Sequence, residues 1–278
     1  MTALSADGIT VSFRRRGHGP FKALDHVSLD VPRGAMVGLV GESGSGKSTL
    51  SRVLTGLLQP DAGRVRVQGQ DAFARGTRVN LRAHVQMIFQ DATGTLNPRQ
   101  KVQAALAEVL TVIRRERLGR AEQRVRVAAL LDQVGLTPEI AERYPRELSG
   151  GQCQRVCIAR ALAVGAEILI ADEPVSALDV SVQARILRLL NDLRRERNLS
   201  VLLIAHDLAV VGAVCDEAVV LQAGRVVEAG APAELFSRPS HPYTRRLLAA
   251  VPRIDARGAC GRGNGSAKLP NHVDLNQV

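Results

Sequence analysis

The chain has 278 residues, of which 45% are hydrophobic, so it can bury a sizeable core and is neither disordered nor fibrous. The net charge of +10 comes mostly from arginine, but aromatic residues are only 3% and tryptophan is absent, which favours an anionic membrane surface over stacked nucleic-acid bases. No apolar run approaches the roughly 18 residues of a membrane span, and the first residues lack the pattern of an export signal, so we expect a cytoplasmic protein.

Short β-branched segments recur along the chain, with helical segments between them. They are GITVSF, HVSLDVP, AMVGLV, RVRVQG, HVQMIF, EILIAD, SVLLIAH and AVVLQAGRVVE. The first few alternate in hydrophobicity, as strands of an antiparallel sheet do, whereas the later ones are nearly all apolar, as buried parallel strands are. The pattern therefore predicts an α/β core with two kinds of sheet.

Residues 91–163 lack the strand pattern and are predicted to be helical. One predicted helix has its apolar face at Val125, Ala128, Leu131 and Val134. A later amphipathic helix has its apolar face at Val182, Ile186, Leu189 and Leu193. We therefore expect a helical region to be inserted into the α/β core.

A glycine-rich segment, GESGSGKS, follows the apolar strand Met36–Val40 and precedes a predicted helix that begins near Lys47. Its glycines let successive N–H groups curl around phosphate oxygens, while Lys47 neutralises phosphate charge and Ser48 offers a hydroxyl to Mg²⁺. A glycine loop of purely structural origin is the alternative, but only four lysines occur in the chain, which makes a chance match rare. The predicted phosphate contacts are Gly41, Glu42, Ser43, Gly44, Ser45, Gly46, Lys47, Ser48 and Thr49.

Three predicted strands end in polar side chains that suit phosphate hydrolysis. EILIADE ends in two carboxylates, of which Asp172 can hold Mg²⁺ and Glu173 can act as the base for an attacking water. His206 ends the next strand and can bond the γ-phosphate, and Gln90 ends HVQMIFQ and can reach Mg²⁺ or the water. Taken singly, the two carboxylates are equally well explained as a surface turn, and His206 and Gln90 are better explained as polar strand ends.

The segment RELSGGQCQR contains a second glycine pair, although it has no lysine. Cys153 and Cys157 within and after it are four residues apart, so on a helix they would share one face. Two thiols lack the further ligands of a closed metal site, and we expect them to pack in the core. With Cys215 and Cys260 they form neither a CxxC pair nor a disulfide framework.

In chain order these segments resemble the nucleotide-binding domain of ABC (ATP-binding cassette) transporters. The matching segments are Walker A (GESGSGKS, 41–48), a Q-loop at Gln90, the signature LSGGQ (148–152), Walker B (ILIADE, 168–173), the D-loop SALD (176–179) and the switch His206. The resemblance covers roughly residues 4–235. It implies an α/β P-loop NTPase fold with a RecA-like parallel-sheet core, an N-terminal antiparallel β subdomain and a helical subdomain at about 91–163.

The resemblance also implies what the lysine-free glycine pair does. In this family two domains pair head to tail, and each signature closes over the ATP and Mg²⁺ on the Walker A loop of the other. Ser149, Gly150 and Gly151 lead into a helix that starts near Gln152, so a hydroxyl, N–H groups and a helix N-terminus can face a γ-phosphate. The implied nucleotide contacts of the signature are Ser149, Gly150, Gly151 and Gln152. The alternative is a helix N-cap with a flexible lead-in.

Further nucleotide contacts are implied by the resemblance alone. Asp179 of the D-loop belongs to the nucleotide site, and Phe13 stacks on the adenine, with Phe21 as the alternative because the loop between them can shift the register. Soluble ABC ATPases of DNA repair or translation are a weaker match because no coiled-coil insertion or second cassette is present. A small-molecule P-loop kinase would leave LSGGQ and His206 unexplained.

Two segments, HVQMIFQDATGTLNPRQKV and SRPSHPYTRRLLAAVP, look like the ATPase subunits of bacterial oligopeptide, dipeptide and nickel importers. GGQCQRVCIARALAV slightly favours the second ATPase subunit of the nickel importer. Implied partners are a second, homologous ATPase chain, two permeases whose coupling helices dock around 91–99, and indirectly a solute-binding protein, but no nucleic acid. The protein would be peripheral, at the cytoplasmic face of the inner membrane.

The C-terminal part completes the expected organisation. The ABC domain would span residues 1–257, including a family-specific segment at about 236–257, and the glycine-rich residues 258–278 would form a mobile tail. Some relatives bind an iron–sulfur cluster in this region through several cysteines. Cys260 stands alone here, so no cluster is expected.

Overall fold

The computed structural model describes residues 1–14, 19–74, 81–176 and 178–250. The strands are β1 (Thr2–Arg14), β2 (Pro20–Pro32), β3 (Met36–Val40), β4 (Ala62–Val67), β5 (Gln70–Asp71), β6 (Val85–Ile88), β7 (Ile168–Asp172), β8 (Ser200–Ala205), β9 (Glu217–Gln222) and β10 (Arg225–Gly230). The helices are α1 (Lys47–Leu54), α2 (Leu81–His84), α3 (Ala92–Thr95), α4 (Val102–Glu108), α5 (Arg120–Gln133), α6 (Gly150–Val164), α7 (Val180–Arg197), α8 (Leu208–Val214), α9 (Pro232–Ser237) and α10 (Pro242–Ala250).

The first sheet is antiparallel and has the order β2-β1-β4-β5. Its long hairpin pairs β1 with β2, and Phe13 lies opposite Phe21 in the register. In β2, alternate residues from Val27 to Val31 are buried, as expected for a strand with one covered face, whereas the consecutive residues 3–6 of β1 are all buried.

The second sheet has the order β10-β9-β3-β8-β7-β6. The strands β9, β3, β8, β7 and β6 run parallel, and only β10 is antiparallel. The segment AVVLQAGRVVE, expected to be one buried strand, is a hairpin whose two-residue turn, Ala223 and Gly224, has φ of 47° and 76°. Because the five strands are parallel, their carboxyl ends meet along one edge, where ligands of such sheets bind.

Three apolar clusters hold the layers together. One lies between the two sheets and includes Leu50, Val53 and Leu54 of α1. A second covers the other face of the parallel sheet with side chains from α4 to α7. A third, smaller cluster joins the carboxyl end of β3 to α8, α9 and α10 and includes Tyr243.

Every regular element within residues 91–163 is helical, including a π-helical turn at Val109–Ile113 and 3₁₀ turns at Pro138–Glu142 and Pro145–Glu147. The apolar face predicted for α5 is partly wrong, because Val125 is 68% exposed. The residues of α5 that pack inward are Val127, Leu130 and Leu131, followed by Val134. In α7, Ile186 and Leu193 are buried as predicted, but Val182 and Leu189 are only partly covered.

The two neighbouring cysteines of α6 pack in the core. Cys153 Sγ donates to the carbonyl of Pro145 at 3.5 Å, and Cys157 Sγ donates to that of Ala92 at 3.6 Å. Burial raises the pKa of both thiols, that of Cys157 to about 11.

Within the described ranges, no helix combines the length and apolarity needed to cross a membrane. Residues 251–278, with Cys260 and the expected mobile tail, lie outside the described part.

Candidate active site

The phosphate-type loop joins β3 to α1, and its lysine is folded back on the loop. Lys47 Nζ donates to the carbonyl of Gly41 at 2.6 Å and to that of Glu42 at 2.9 Å. Lys47 is only 7% exposed, and this burial lowers the pKa of its ammonium group, while the charges of Glu173 and Asp172 oppose the shift. The ammonium group is therefore held in place by weak carbonyl partners that an anionic ligand can replace.

Gly46 shows why the end of this loop needs glycine. It is the N-cap of α1, with a φ of 112°, and a Cβ atom there would lie 2.8 Å from the carbonyl oxygen of Ala23 in β2. The loop thus closes against the antiparallel sheet before α1 begins at Lys47, where helical N–H groups are free to bind an anion.

The two carboxylates lie at the carboxyl end of β7, the strand that pairs with β8 in the parallel sheet. Glu173 has a φ of 46°, and its N–H donates to the carbonyl of Ile204 at 3.0 Å. Burial raises the pKa of Asp172, the charge of Glu173 adds to the shift, and Lys47 opposes it. Two carboxylates and an ammonium group therefore share one partly buried site, the kind of arrangement found at functional centres.

Glu173 is the centre of a polar cluster at the sheet edge. Gln90 Nε2 donates to Glu173 Oε2 at 3.1 Å and to Ser176 Oγ at 3.0 Å, and His206 Nδ1 lies 3.6 Å from Glu173 Oε2. Ser176 Oγ in turn donates to the Glu173 carbonyl at 3.1 Å. The structure thus brings together the ends of β6, β7 and β8, although these segments are far apart in the sequence.

The second glycine pair begins α6 directly, two residues earlier than expected. Ser149 is the N-cap: its Oγ accepts from Gln152 N at 3.3 Å, and Ser149 N donates to Gln152 Oε1 at 3.0 Å. The helix N-cap that was considered as an alternative role is therefore present. Its lead-in is not flexible, because two reciprocal hydrogen bonds join Ser149 to Gln152. The capping contact uses the oxygen of Ser149 as acceptor and leaves its O–H free to donate to a ligand.

Gly150 and Gly151 lie close to side chains at and just before the start of α7. A Cβ at Gly150 would lie 3.1 Å from Leu178 Cδ2, and one at Gly151 would lie 2.6 Å from Val182 Cγ1. Within the described ranges, no hydrogen bond or ion pair joins Ser149 or its two glycines to residues 41–49.

Asp179 and the two phenylalanines have specific positions as well. Asp179 is the N-cap of α7, accepting from Val182 N at 2.9 Å and from Ser181 Oγ at 2.8 Å, and these bonds lower the pKa of its carboxyl group. Phe13 and Phe21 lie directly opposite each other on the hairpin and are 41% and 49% exposed. Since opposite residues of an antiparallel pair share a face, both aromatic rings belong to one surface.

Two residues that contact this site were not among the expected ones. Ser176 lies in the quoted SALD segment, and its role in holding Gln90 and Glu173 could have been inferred from that position. Tyr243 of α10 accepts a hydrogen bond from Glu42 N at 2.8 Å. Nothing in its local sequence indicates this contact, which spans 201 positions of the chain.

Comparison with protein families agrees with this geometry. A model described as "ABC transporter" matches residues 24–176, which include the phosphate loop, the signature and the paired carboxylates. The chain belongs to the ABC transporter family. A second model, "Oligopeptide/dipeptide transporter, C-terminal region", matches residues 227–274 and places this ABC protein among the ATP-binding subunits of that branch.

The ABC protein is similar along most of its length to named relatives. A putative peptide import ATP-binding protein of Brucella abortus is 50% identical over 252 residues, which is 87% of this chain and 75% of the relative. A putative peptide import ATP-binding protein of Brucella ovis is 44% identical over 255 residues, which is 91% of this chain and 79% of the relative. The chain is thus an ATPase subunit of the ABC transporter type.

Solved structures confirm the ABC-type fold. The dimeric post-hydrolysis state of the ATP-binding cassette MJ0796, bound to ADP and Pi, aligns with a TM-score of 0.71 and 30% identity over 82% of this chain and 98% of its own. CbiO1 from Clostridium perfringens, part of the ABC transporter complex cbiONQ, aligns with a TM-score of 0.74 and 28% identity. The alignment covers 91% of this chain and 97% of CbiO1. The predicted fold class is confirmed.

The residues present fit a nucleotide with a bound magnesium ion. Asp172 offers a carboxylate, Ser48 a hydroxyl and Gln90 an amide oxygen, which are the hard oxygen ligands that Mg²⁺ prefers. The raised pKa of Asp172 reflects a buried negative charge that a cation would neutralise. The hydroxyl of Ser45 is buried in the loop and has no hydrogen-bond partner among the residues that the structure describes.

Proposed function

We propose that this subunit binds Mg²⁺ and ATP on residues 41–49 and hydrolyses the ATP with Glu173 as general base. The observation that carries the proposal is the cluster of Gln90, Glu173 and His206, which lies at the same sheet edge as the loop that holds Lys47. In this position Glu173 can accept a proton from water, while Gln90 and His206 keep the carboxylate oriented. Bound Mg²⁺ would supply charge neutralisation on the phosphates, held by Ser48, Asp172 and Gln90.

On nucleotide binding, Lys47 exchanges its carbonyl partners for phosphate oxygens. Hydrogen bonds between an ammonium group and an anion are stronger than those to neutral carbonyls, which drives the exchange. The N–H groups of Gly44, of Gly46 and of the first turn of α1 add further donors. The adenine would lie against the exposed Phe13–Phe21 pair of the hairpin.

The second half of the site is proposed to come from another ATPase subunit. Ser149, Gly150 and Gly151 present a free hydroxyl proton, unpaired N–H groups and the N-terminus of a 15-residue helix to solvent. Asp179 begins the neighbouring α7, and the contact of Gly151 with Val182 fixes the two helix starts together. A γ-phosphate on a partner's loop would complete this surface, and the partner would be a homologous, different chain.

The transported substrate is proposed to be an oligopeptide or dipeptide. Support comes from the C-terminal family match and from relatives named peptide import proteins. The preference for nickel rests on a few ordinary residues of α6 and has no such support. The alternative of peptide import is therefore the better proposal.

Two permease subunits would dock beside the Gln90 loop, at about residues 91–99, with a solute-binding protein acting on them from the other side. Asp91 caps α3, and the α3 carbonyls of Ala92 and Thr95 accept bonds from Cys157 and Arg160 of α6. A force on this segment would therefore reach both Gln90 and the helix that starts with the signature. The subunit would be peripheral, at the cytoplasmic face of the inner membrane.

Glu173→Gln tests the proposed chemistry. The amide can still accept the Gln90 hydrogen bond, but it cannot take a proton, so hydrolysis should fall about a hundredfold or more. ATP should still bind and should accumulate a closed pair of ATPase subunits, measured by light scattering after chromatography with ATP. Near-normal hydrolysis would remove Glu173 from the role of base.

A further inference from the structure

The phosphate loop is held from the opposite end of the chain by a buried tyrosine. Tyr243, near the start of α10, is 2% exposed, and its hydroxyl accepts a hydrogen bond from Glu42 N at 2.8 Å. Glu42 lies within the residues matched by the ABC transporter model, whereas Tyr243 lies within those matched by the C-terminal-region model. One hydrogen bond thus joins the general ATPase module to the segment specific to this branch.

The bond falls on a peptide unit that is held at both ends. The carbonyl of Gly41 accepts from Lys47 Nζ at 2.6 Å, and the N–H of the same peptide donates to Tyr243. When Lys47 turns to a phosphate, the carbonyl loses this partner, but the N–H keeps its own. Tyr243 is then the remaining side-chain contact that fixes the orientation of this peptide.

Tyr243 is itself firmly positioned. Its ring packs in the cluster that contains Val40 at the end of β3 and Leu208 of α8. Just before α10, the carboxylate of Glu228 in β10 accepts hydrogen bonds from Ser240 N at 2.7 Å and from His241 N at 3.2 Å. The Tyr243 side chain is therefore held by core packing and by the hydrogen bonds of the residues before it when its hydroxyl contacts Glu42.

We propose that Tyr243 is a positioning residue for nucleotide binding, through which the C-terminal segment holds the phosphate loop in the shape that accepts a nucleotide. This inference rests on the proposed binding of ATP at residues 41–49. Without the hydroxyl, the loop would spend less time in the competent shape, and the apparent Kd would rise by the inverse of the competent fraction. A single lost hydrogen bond of ordinary strength corresponds to about a threefold to tenfold rise.

Tyr243→Phe is the direct test, because it removes the hydroxyl and keeps the buried ring. We expect a threefold to tenfold higher Kd for a fluorescent ATP analogue with magnesium, and faster amide exchange in a peptide covering residues 41–46. Tyr144→Phe is the matched control and should change neither value, since Tyr144 packs beside Lys101 and Arg146 in the helical region. An unchanged Kd and unchanged exchange in Tyr243→Phe would overturn the proposal.

A second variant removes the other half of the hydrogen bond. Glu42→Pro has no N–H to donate, so Tyr243→Phe should have no further effect on the Kd in that background. If the two changes add, Tyr243 acts by another route and the proposal fails. Wild-type protein that binds no nucleotide would refute the proposed function instead, so the two failures are distinguishable.

Discussion

Gln90 Nε2 donates a hydrogen bond to Glu173 Oε2 over 3.1 Å, joining the ends of β6 and β7. The same amide group donates to Ser176 at 3.0 Å, so one side chain orients both the candidate base and the segment that follows it. The contact ties the loop proposed to meet the permeases to the residue proposed to activate water. A movement of the Gln90 loop would therefore change the position of Glu173.

Gln90→Ala should impair hydrolysis while leaving nucleotide binding intact. Glu173 would lose the donor that fixes its carboxylate, so ATPase activity of the assembled transporter should fall about tenfold. The Kd for ATP measured without magnesium should stay within about twofold, because the phosphate loop is untouched and the proposed Mg²⁺ contact of Gln90 is not in use. Gln86→Ala is the control, since Gln86 lies on β6, the strand that leads to Gln90, but donates to the carbonyl of Arg82. A parallel loss of binding in Gln90→Ala would contradict this division of roles.

Lys47→Ala should weaken ATP binding. The ammonium group is already buried against two loop carbonyls, and replacing them by phosphate oxygens is the favourable step that the variant loses. Titration with a fluorescent ATP analogue should show an affinity lower by about tenfold to a hundredfold. Lys101→Ala removes an exposed lysine that pairs with Glu142 at 2.9 Å, and it should bind normally. Unchanged binding in Lys47→Ala would refute the phosphate-loop assignment.

Substitutions of Ser149 separate its two roles. Aspartate and asparagine are both good N-caps, so Ser149→Asp and Ser149→Asn should keep the melting temperature of the protein. Aspartate adds a negative charge where a partner's γ-phosphate is proposed to bind, so only Ser149→Asp should abolish hydrolysis at the partner's site. Each variant should still bind ATP on its own loop. Loss of that binding would mean that the signature acts within its own chain.

Gly151→Ala should destabilise the protein although alanine is the better helix former. The new Cβ would lie 2.6 Å from Val182 Cγ1, and overpacking of this kind costs about 1–3 kcal/mol, more than the gain of about 1 kcal/mol in helix propensity. Calorimetry should give a lower melting temperature, and Val182→Ala should restore it. Gly212→Ala is the matched control: its Cβ would lie 3.5 Å from Phe236, an ordinary contact, so it should be neutral or stabilising. A higher melting temperature in Gly151→Ala would contradict the prediction and show that Val182 can move away from the new methyl group.

Asp25 is expected to give an acid-dependent contribution to stability. Hydrogen bonds from Arg225, His26 and Lys22 hold the pKa of its carboxyl group below the ordinary value of 3.8. Because the folded-state pKa is lowered, the contribution is complete above about pH 4 and is lost as the pH falls further. Asp25→Asn should therefore lower the melting temperature at pH 7 and at pH 5 by the same amount, and by less near pH 3. A constant difference down to pH 3 would contradict this linkage.

The local features, and the chemistry that each can perform, follow from the sequence alone. Strand hydrophobicity, the phosphate loop, the paired carboxylates and the lysine-free glycine pair are each encoded within a few neighbouring residues, where φ preferences and side-chain periodicity act directly. These signals sufficed for the confirmed fold class. They also suggested that Gln90, Glu173 and His206 lie at strand ends of one sheet, and in the structure they follow β6, β7 and β8.

Which of these features come into contact depends on tertiary packing. Helix α5 has apolar residues on more than one side. Its packing against the rest of the helical region buries Val127 and Leu131 and leaves Val125 exposed. The sheet order β9-β3-β8-β7-β6 differs from chain order, so the hydrogen bond from Gln90 to Glu173 depends on crossovers that no local pattern specifies. The contact of Tyr243 with Glu42 spans 201 positions and arises because α10 packs beside the end of β3. Local sequence encodes the chemistry of each group, but packing free energy is shared among distant residues, and it alone sets which groups come together.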